Sequence, residues 1–505
     1  MKKKLSISHV FSRYPNFSFS RRYREYEQTE HKMKPVCILF GSLATLLLLQ
    51  SCSLTPTYTR PDAGLLEAVP ASWSQSNASV EATENAQWWS RFNSEALPQL
   101  QKYGLMRNHD FEAAGWQLAQ AIAQTRVARA SLFPRIDAEG TASRTGVHAG
   151  PDNAFTIGDS FSGGFQVSYE LDLWGRLHSQ ADSAAFMAEA TLNDWRAVGL
   201  SLESNIAVAF FQILALRERL AVQKGMLSTA EQTLEYITKQ QRAGAASTLD
   251  LARQRSNVAS MKPRSRELER QEQAAKKALD NLLGAAITPE NLERLMASES
   301  ITKLTPPTVS AGLPSSLLLR RPDILKAEAA LKAANADIGT ARAAFLPLVN
   351  LTVQGGWKSD ELNTLFSPAS ALYSLVSSLV TPIFQGGRLV AQHDTAKAHW
   401  EELVARYQQA ALSAFLETDT AIGASDFLVQ EEENRTIAVH EAREAFRIVE
   451  VQYREGSADL LSLLDAQRTL LAAQDAQITV IQARLNTSIS LFKALGGGWG
   501  EKMPM

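Results

Sequence analysis

The chain has 505 residues, of which 45% are hydrophobic, 21% are charged and 18 are proline. This composition indicates one ordered, helix-rich protein, and with only two cysteines it excludes a fold built on disulfides. The formal net charge of −2 excludes the strongly basic surface that nucleic-acid binding requires.

The N-terminal region has the pattern of a cleaved export signal. An apolar run over residues 36–49 follows a basic stretch and is too short to span a bilayer comfortably. It ends in Leu49-Gln50-Ser51-Cys52, which resembles the lipobox of bacterial lipoproteins, in which the cysteine is acylated and becomes the new N-terminus. We therefore predict a signal over 1–51, with the true start at Met33, and lipidation of Cys52 by diacylglycerol and an N-acyl chain. The alternative is an ordinary buried cysteine after a stop-transfer helix.

Residues 52–87 are rich in Ser, Thr, Pro and Ala and predict an extended segment. A first repeat follows over 88–285. Its helical pattern runs from Trp88 to Ala130 and is ended by Pro134. Two strands are then predicted, over 135–143 and 161–173. Because aromatic and aliphatic residues alternate with carboxylates and amides in the second strand, the pattern favours a membrane barrel with a wet interior.

The longest element of the first repeat is a predicted helix over 176–244. Its apolar seam alternates steps of four and three residues from Leu202 to Ile237, and only Gln223 interrupts it. This is the coiled-coil period, and a helix of this length reaches roughly 100 Å. Gly244 ends the helix, and the chain is expected to turn back there into a helical hairpin.

The second half repeats the first half. Pro134 returns as Pro347, 213 positions later, while the pair Gly175-Arg176 returns as Gly387-Arg388 and Gly244 returns as Gly456, each 212 positions later. We predict a connecting segment over 286–316 that is not part of the core, a second repeat over 317–495 with strands over 349–357 and 372–384, and a tail over 496–505. Gly175-Arg176 and Gly387-Arg388 mark strand-to-helix turns, and the other two glycines mark hairpin turns.

Four strands cannot close a transmembrane barrel, for which about eight is the smallest count. An open sheet edge is not tolerated in lipid either. The chain is therefore expected to share a barrel with copies of itself.

In this order, several motifs resemble those of the TolC-like outer membrane factors, in particular the lipoprotein branch that serves tripartite efflux systems. They are Trp88-Trp89 with Phe92, Leu132-Phe133-Pro134, Asp172-Leu173-Trp174-Gly175-Arg176, Arg320-Arg321-Pro322-Asp323-Ile324, Tyr453-Arg454-Glu455-Gly456, Leu463 to Arg468 and the closing Ala494 to Trp499. The resemblance implies a mainly α protein with membrane β-structure, in which a homotrimer forms a twelve-stranded barrel in the outer membrane and long coiled-coil hairpins in the periplasm. It also implies a passive exit duct for small molecules, a periplasmic adaptor and an RND-type inner membrane transporter as partners.

The resemblance also implies a periplasmic gate. Leu461 and Asp465 match inward-facing positions of the family, and in a trimer they would form an apolar ring and an acidic ring. Tyr453 and Arg454 match positions that tie neighbouring hairpins shut, with Asp250 as a partner, and Arg468 could pair with Asp465. Ala458 departs from relatives that carry a basic residue at the tip, so the locking pairs stay open.

An enzyme is not expected. His393 and His399 are six positions apart and do not share a helix face for a metal, and the run Gly496-Gly497-Gly498 lacks the lysine of a phosphate loop. No cofactor is predicted. Two alternatives remain, namely the outer membrane conduit of a type I protein secretion system, and a lipid-anchored periplasmic coiled-coil adaptor or structural lipoprotein.

Overall fold

The computed structural model describes residues 54–61, 88–149, 154–286, 288–307 and 320–497. The predicted signal, Cys52 and the end of the tail lie outside these residues. The main elements of the described residues are α1 (Ala96–Arg107), α2 (His109–Ala130), β1 (Arg135–Ala149), β2 (Ala154–Leu171), α3 (Arg176–Arg242), α4 (Thr248–Leu282), α5 (Pro289–Met296), α6 (Pro322–Ala343), β3 (Leu348–Ser359), β4 (Ala371–Val380), α7 (Arg388–Arg454) and α8 (Leu460–Ala494).

The first helical region is two helices rather than the single one predicted. Asn108 has an extended backbone conformation, with ψ of 124°, and its side chain accepts a hydrogen bond from the Phe111 backbone N–H at 2.8 Å. An asparagine in this role starts a new helix, so α1 and α2 meet at this residue. The spacing of hydrophobic residues in this region does not show where one helix ends and the next begins.

The four strands form one antiparallel sheet in the order β1-β2-β3-β4. β1 extends six residues past its predicted end, and β2 begins seven residues before its predicted start. The added residues pair with each other as a two-stranded ribbon beyond the β2–β3 ladder, which ends at Phe161 and Ser359. Glycine and polar residues break the alternation there, which is why the sequence pattern missed the ribbon. β4 ends at Val380, four residues before its predicted end.

The internal duplication is reproduced in the lengths of the helices. α3 and α7 each have 67 residues, and α4 and α8 each have 35. α3–α4 form the first hairpin and α7–α8 the second hairpin. Most residues of the predicted α3 seam are buried in the protomer. Gln223 is buried with them, and its side-chain amide donates a hydrogen bond to the Met261 carbonyl at 3.3 Å.

The main hydrophobic core lies where α3 crosses α1, α2, α4 and α8. Phe210 and Phe211 of α3 are fully buried there, beside Phe92 and Leu485. α3 also contains a window with mean hydropathy 1.5, apolar enough by composition to cross a membrane. Part of the hydropathy of α3 reflects internal packing in this protomer, since 44% of that window is buried.

The segment predicted as a connection contributes to this core, so the expectation that it lies outside the core is wrong. Within 288–307, Met296 of α5 is 1% exposed and Ile301 is fully buried. The Glu299 carboxylate accepts hydrogen bonds from the Ser94 hydroxyl and the Ala96 backbone N–H, both at 3.0 Å. Proline content indicated a loop, but these apolar residues bind the segment to the first repeat.

Candidate functional site

The sheet has one polar face and one apolar face, which are clear on β2 and β3 and weaker on β4, where Val376 lies on the polar side. The register aligns Asp137, Gln166, Gln354 and Ser374 in one row on the polar face. The Gln354 amide donates a hydrogen bond to the Gln166 side-chain oxygen at 2.6 Å. A row of this kind gives the face continuous hydrogen-bonding capacity, which suits a surface in contact with water.

The opposite face carries a matching apolar row of Ile136, Val167, Val353 and Leu375. Ile136 is 69% exposed and Leu375 is 72% exposed. An extended apolar face that none of the described elements covers is suited to lipid. β1 and β4 have no strand partner on their outer edges within the described residues.

The strand-to-helix turns place Arg176 and Arg388 at the first position of the long helices, each preceded by a glycine with positive φ, 74° at Gly175 and 82° at Gly387. Only glycine adopts this conformation readily. Arg176 forms a two-pronged ion pair with Glu170 at 2.7 Å, whereas Arg388 bonds to the neutral side chains of Gln385 and Gln392. The two turns therefore have the same backbone conformation, but the arginine has a charged partner only in the first turn.

The first turn also holds a helix-capping carboxylate. Asp172 accepts hydrogen bonds from the backbone N–H groups of Leu177 and His178, at 3.1 and 2.9 Å, and contacts the His178 ring. Burial raises the pKa of Asp172, but the hydrogen bonds from His178 and Leu177 outweigh it and bring the pKa below its usual value. The position 212 residues later is Phe384, which is 88% exposed and offers no such cap.

The predicted hairpin turns lie at the tips of the two hairpins. Gly244 and Gly456 have φ of 75° and 78°. The residue after each glycine donates its backbone N–H five residues back, from Ala245 to Gln240 and from Ser457 to Gln452, both at 2.8 Å. This bond satisfies a carbonyl at the end of the outgoing helix. The return helix then starts at a side-chain cap, either Ser247 or Asp459.

The predicted gate residues of α8 share one exposed surface at the second tip. Leu461 is 51% exposed, and Asp465, four residues later, is also exposed. Between them, Leu463 and Leu464 turn inward and pack against Ile237 of the first hairpin. In the part of the chain that the structure describes, no ion pair joins Arg468 to Asp465.

The predicted locking residues make contacts within one protomer. The Tyr453 ring meets Tyr236 of the first hairpin edge-on, with ring centroids 6.4 Å apart. Burial raises the pKa of Tyr453, and the negative charge of Asp250 raises it further. The Arg454 guanidinium pairs with Glu450 at 2.7 Å rather than with Asp250, which accepts a hydrogen bond from Ser247.

The structure adds an ion-pair cluster between the hairpins that sequence reasoning missed. Asp475 of α8 receives two hydrogen bonds from Arg219 of α3, at 2.6 and 3.0 Å, and lies 3.6 Å from the Arg264 guanidinium of α4. Arg219 and Asp475 are 256 positions apart, so no local spacing pointed to the contact.

A short N-terminal strap, residues 54–61, lies along α6. Thr55 bonds to Ser179 at 2.8 Å and passes so close to Gly339 that a Cβ there would be 2.2 Å from the Thr55 hydroxyl oxygen. Arg60 pairs at 2.6 Å with the Glu328 carboxylate, which is 6% exposed. The strap therefore follows α6 from its sheet end, at Leu54, toward its start.

The described residues hold no cluster of three or more His, Cys, Asp or Glu side chains placed to bind a metal ion.

A sequence profile of the outer membrane efflux protein family matches residues 103–285 and 313–497. The chain is 35% identical to the pyoverdine export outer membrane protein OpmQ of Pseudomonas putida, over 93% of this chain and 98% of that protein. It is 33% identical to the toluene efflux pump outer membrane protein TtgC of Pseudomonas putida, over 92% and 96%. It is 32% identical to the cation efflux system protein CusC of Escherichia coli, over 93% and 99%.

Solved structures agree with these relatives. A crystal structure of CusC superposes with a TM-score of 0.79 at 29% identity, covering 88% of this chain and all of that chain. The open state of the Neisseria gonorrhoeae MtrE outer membrane channel superposes with a TM-score of 0.80, also at 29% identity, covering 90% of this chain and all of that chain.

Proposed function

The chain belongs to the outer membrane efflux protein family, and from this premise we propose that three copies form one exit duct through the outer membrane and across the periplasm. The duct is passive, as expected of a member of the outer membrane efflux protein family. It takes small molecules from an inner membrane transporter through a periplasmic adaptor.

The observation that carries this proposal is the unfinished sheet. The described residues of a protomer form four strands, with an apolar face open to its surroundings and with outer edges at β1 and β4 that pair with no other described strand. Lipid tolerates neither an open edge nor a barrel of four strands, whereas three protomers supply twelve strands and remove every edge. The same symmetry places six long hairpins around one axis below the barrel.

We assign the closure of this duct to the second hairpin. Leu461 and Asp465 are exposed on one surface of α8 at the tip, while the residues between them hold that tip against the first hairpin. In a trimer, three leucines exclude water and three carboxylates favour cations. Tyr453 contacts the Tyr236 ring, and the charge of Asp250 acts on its hydroxyl, which supports its role in holding the two tips together. Arg454 and Arg468 belong to the same tip, and we assign them a smaller part in closing the duct.

Planar bilayer recordings test both the duct and its gate. Asp465→Ala combined with Tyr453→Phe should raise the single-channel conductance while the trimer stays assembled, because the acidic ring is removed together with the Tyr453 hydroxyl, on which the charge of Asp250 acts, while the ring contact with Tyr236 is kept. Glu433→Ala, an exposed carboxylate of α7 away from the tip, should leave conductance unchanged. Equal conductance of the double variant and the unmodified channel would argue against this gate. A mature chain that is a stable, water-soluble monomer without detergent would argue against the duct.

We also propose that Cys52 anchors the protein by covalent lipid. The strap supports this, because Leu54 lies at the sheet end of α6 and two residues of chain reach at most about 7 Å. Since an acyl anchor is stably held only with a second membrane contact, the barrel supplies the other one. Labelling with a fatty-acid analogue should be lost in Cys52→Ser and kept in Cys37→Ser. An unlabelled native protein would refute the anchor.

The exported compound is set by the partners rather than by this chain. Relatives of similar identity are named as a pyoverdine export protein, a toluene efflux pump protein and a cation efflux system protein. Chains this similar thus serve chemically unrelated clients, so we place the selection of substrate in the transporter and adaptor.

A further inference from the structure

The two hairpin tips are built alike, down to single positions. Leu249 is the second residue of α4 and Leu461 is the second residue of α8, and they are 57% and 51% exposed. Leu251 and Leu463 are likewise equivalent, and both are buried in the one cluster that joins the tips. The two return helices therefore present equivalent faces, with an exposed leucine on the same side of each.

One turn further along, the two equivalent helix faces carry opposite charges. Four residues after the exposed leucine, α8 carries Asp465 and α4 carries Arg253, and both side chains are exposed. Positions four apart lie on one helix face, so each charge belongs to the same face as its leucine. Arg253 is also close enough to the second tip to act on Asp459, whose pKa lies below its usual value mainly because of hydrogen bonds from Ser462.

We infer that Arg253 is a charge-selectivity residue of the entrance, where three arginines alternate with the three Asp465 carboxylates. This rests on the proposed trimer and gate. An acidic ring alone concentrates cations and repels anions, whereas interleaved arginines offset that field and admit anionic as well as cationic solutes. The first hairpin is thus a functional part of the opening and not only a support for the second.

Reversal potentials across planar bilayers in asymmetric KCl test this assignment. Arg253→Gln removes three positive charges from the trimer and should raise the ratio of potassium to chloride permeability by about two- to fivefold, the size expected for solvated charges several ångströms from the ion path. Asp465→Asn should shift the ratio in the opposite direction, and the charge exchange Arg253→Asp with Asp465→Arg should return it toward the native value. Arg255→Gln is the matched control, because Arg255 is exposed on another face of α4 and should have no effect.

Separate outcomes distinguish the two proposals. An unchanged ratio in Arg253→Gln with a shifted ratio in Asp465→Asn overturns the role of Arg253 and leaves the gate intact. Unchanged ratios in both overturn the gate as well. Where Arg253→Gln fails to assemble, Arg253→Cys can be modified in the finished channel with cationic or anionic thiol reagents. These should shift the ratio in opposite directions, and identical ratios after both treatments overturn the inference.

Discussion

α3 and α7 have the same length and the same place in each repeat, but α7 leaves more of its large apolar side chains exposed. α3 buries its large apolar side chains inside the protomer, with Phe210 and Phe211 fully covered. α7 leaves comparable side chains open, with Phe427 70% exposed and Ile437 60% exposed. α7 also has a buried part, where Tyr407 is fully covered, but beyond it the helix presents an apolar surface that needs a neighbour. Duplication conserved the helix lengths while the use of the apolar residues diverged.

Making the exposed surface of α7 polar tests whether this surface contacts a neighbouring protomer. Phe427→Asp combined with Ile437→Asp should abolish the trimer, because burying each native side chain is worth about 1.5–3 kcal/mol and six are affected per assembly. The helical content of the protomer should remain, since neither residue belongs to its core. Gel mobility in mild detergent and circular dichroism measure the two properties.

The control for that experiment keeps the surface apolar. Phe427→Leu with Ile437→Leu should retain the trimer, since size and hydrophobicity change little. A trimer that persists in the aspartate variant would mean that α7 faces the lumen or the solvent rather than a neighbouring protomer.

A second contrast lies where each return helix ends. In the second repeat, Arg321 donates to the Ala494 carbonyl at 2.9 Å and pairs with Asp323 and Glu417 at 2.7 and 2.8 Å. At the equivalent junction of the first repeat, Asn108 donates to the Leu282 carbonyl at 3.0 Å. We expect Arg321→Ala to cost about 2–3 kcal/mol of protomer stability and Asn108→Ala about 1 kcal/mol. Denaturation midpoints of the detergent-solubilised variants measure the two losses of stability. A larger loss in Asn108→Ala than in Arg321→Ala would contradict this comparison.

The smallest expected effect concerns the charged first strand-to-helix turn. Because the folded-state pKa of Asp172 is lowered, its stabilising effect is complete above its ordinary pKa of 3.8 and is lost as pH falls through the lower folded value. Asp172→Ala should therefore lower the melting temperature at neutral pH by an amount matching about 1 kcal/mol, and should have little effect in strong acid. Phe384→Ala in the second turn serves as a pH-independent control. A deficit of Asp172→Ala that does not depend on pH would contradict the capping role.

The parts of the fold that the sequence predicted are those controlled by periodicity. Alternation in β2 and the four-and-three seam of α3 each depend on one face being apolar, which a linear pattern records directly. The hairpin turns were equally accessible, because Gly244 and Gly456 must adopt positive φ. By contrast, the break at Asn108 depends on one side-chain hydrogen bond within an otherwise helical pattern.

The candidate site was less accessible for a different reason. The spacing of Leu461 and Asp465 showed that they share one helix face, and the family resemblance singled them out, but neither gave the partners of the charged residues. Arg454 bonds to its own helix, and Asp475 meets Arg219 across the hairpins. Pairings of long, flexible side chains depend on tertiary geometry that spacing along the chain does not encode.

The incomplete sheet of the protomer has a consequence for biogenesis. The amide and carbonyl groups along the outer edges of β1 and β4 have no partner in hydrocarbon, so a lone subunit gains nothing by entering the bilayer. Oligomerisation and insertion are therefore a single thermodynamic event whose yield depends steeply on subunit concentration. Until three subunits meet, these edges remain templates for aggregation. Escort factors that shield them in transit should consequently raise the yield of finished channels more than any change to the helices.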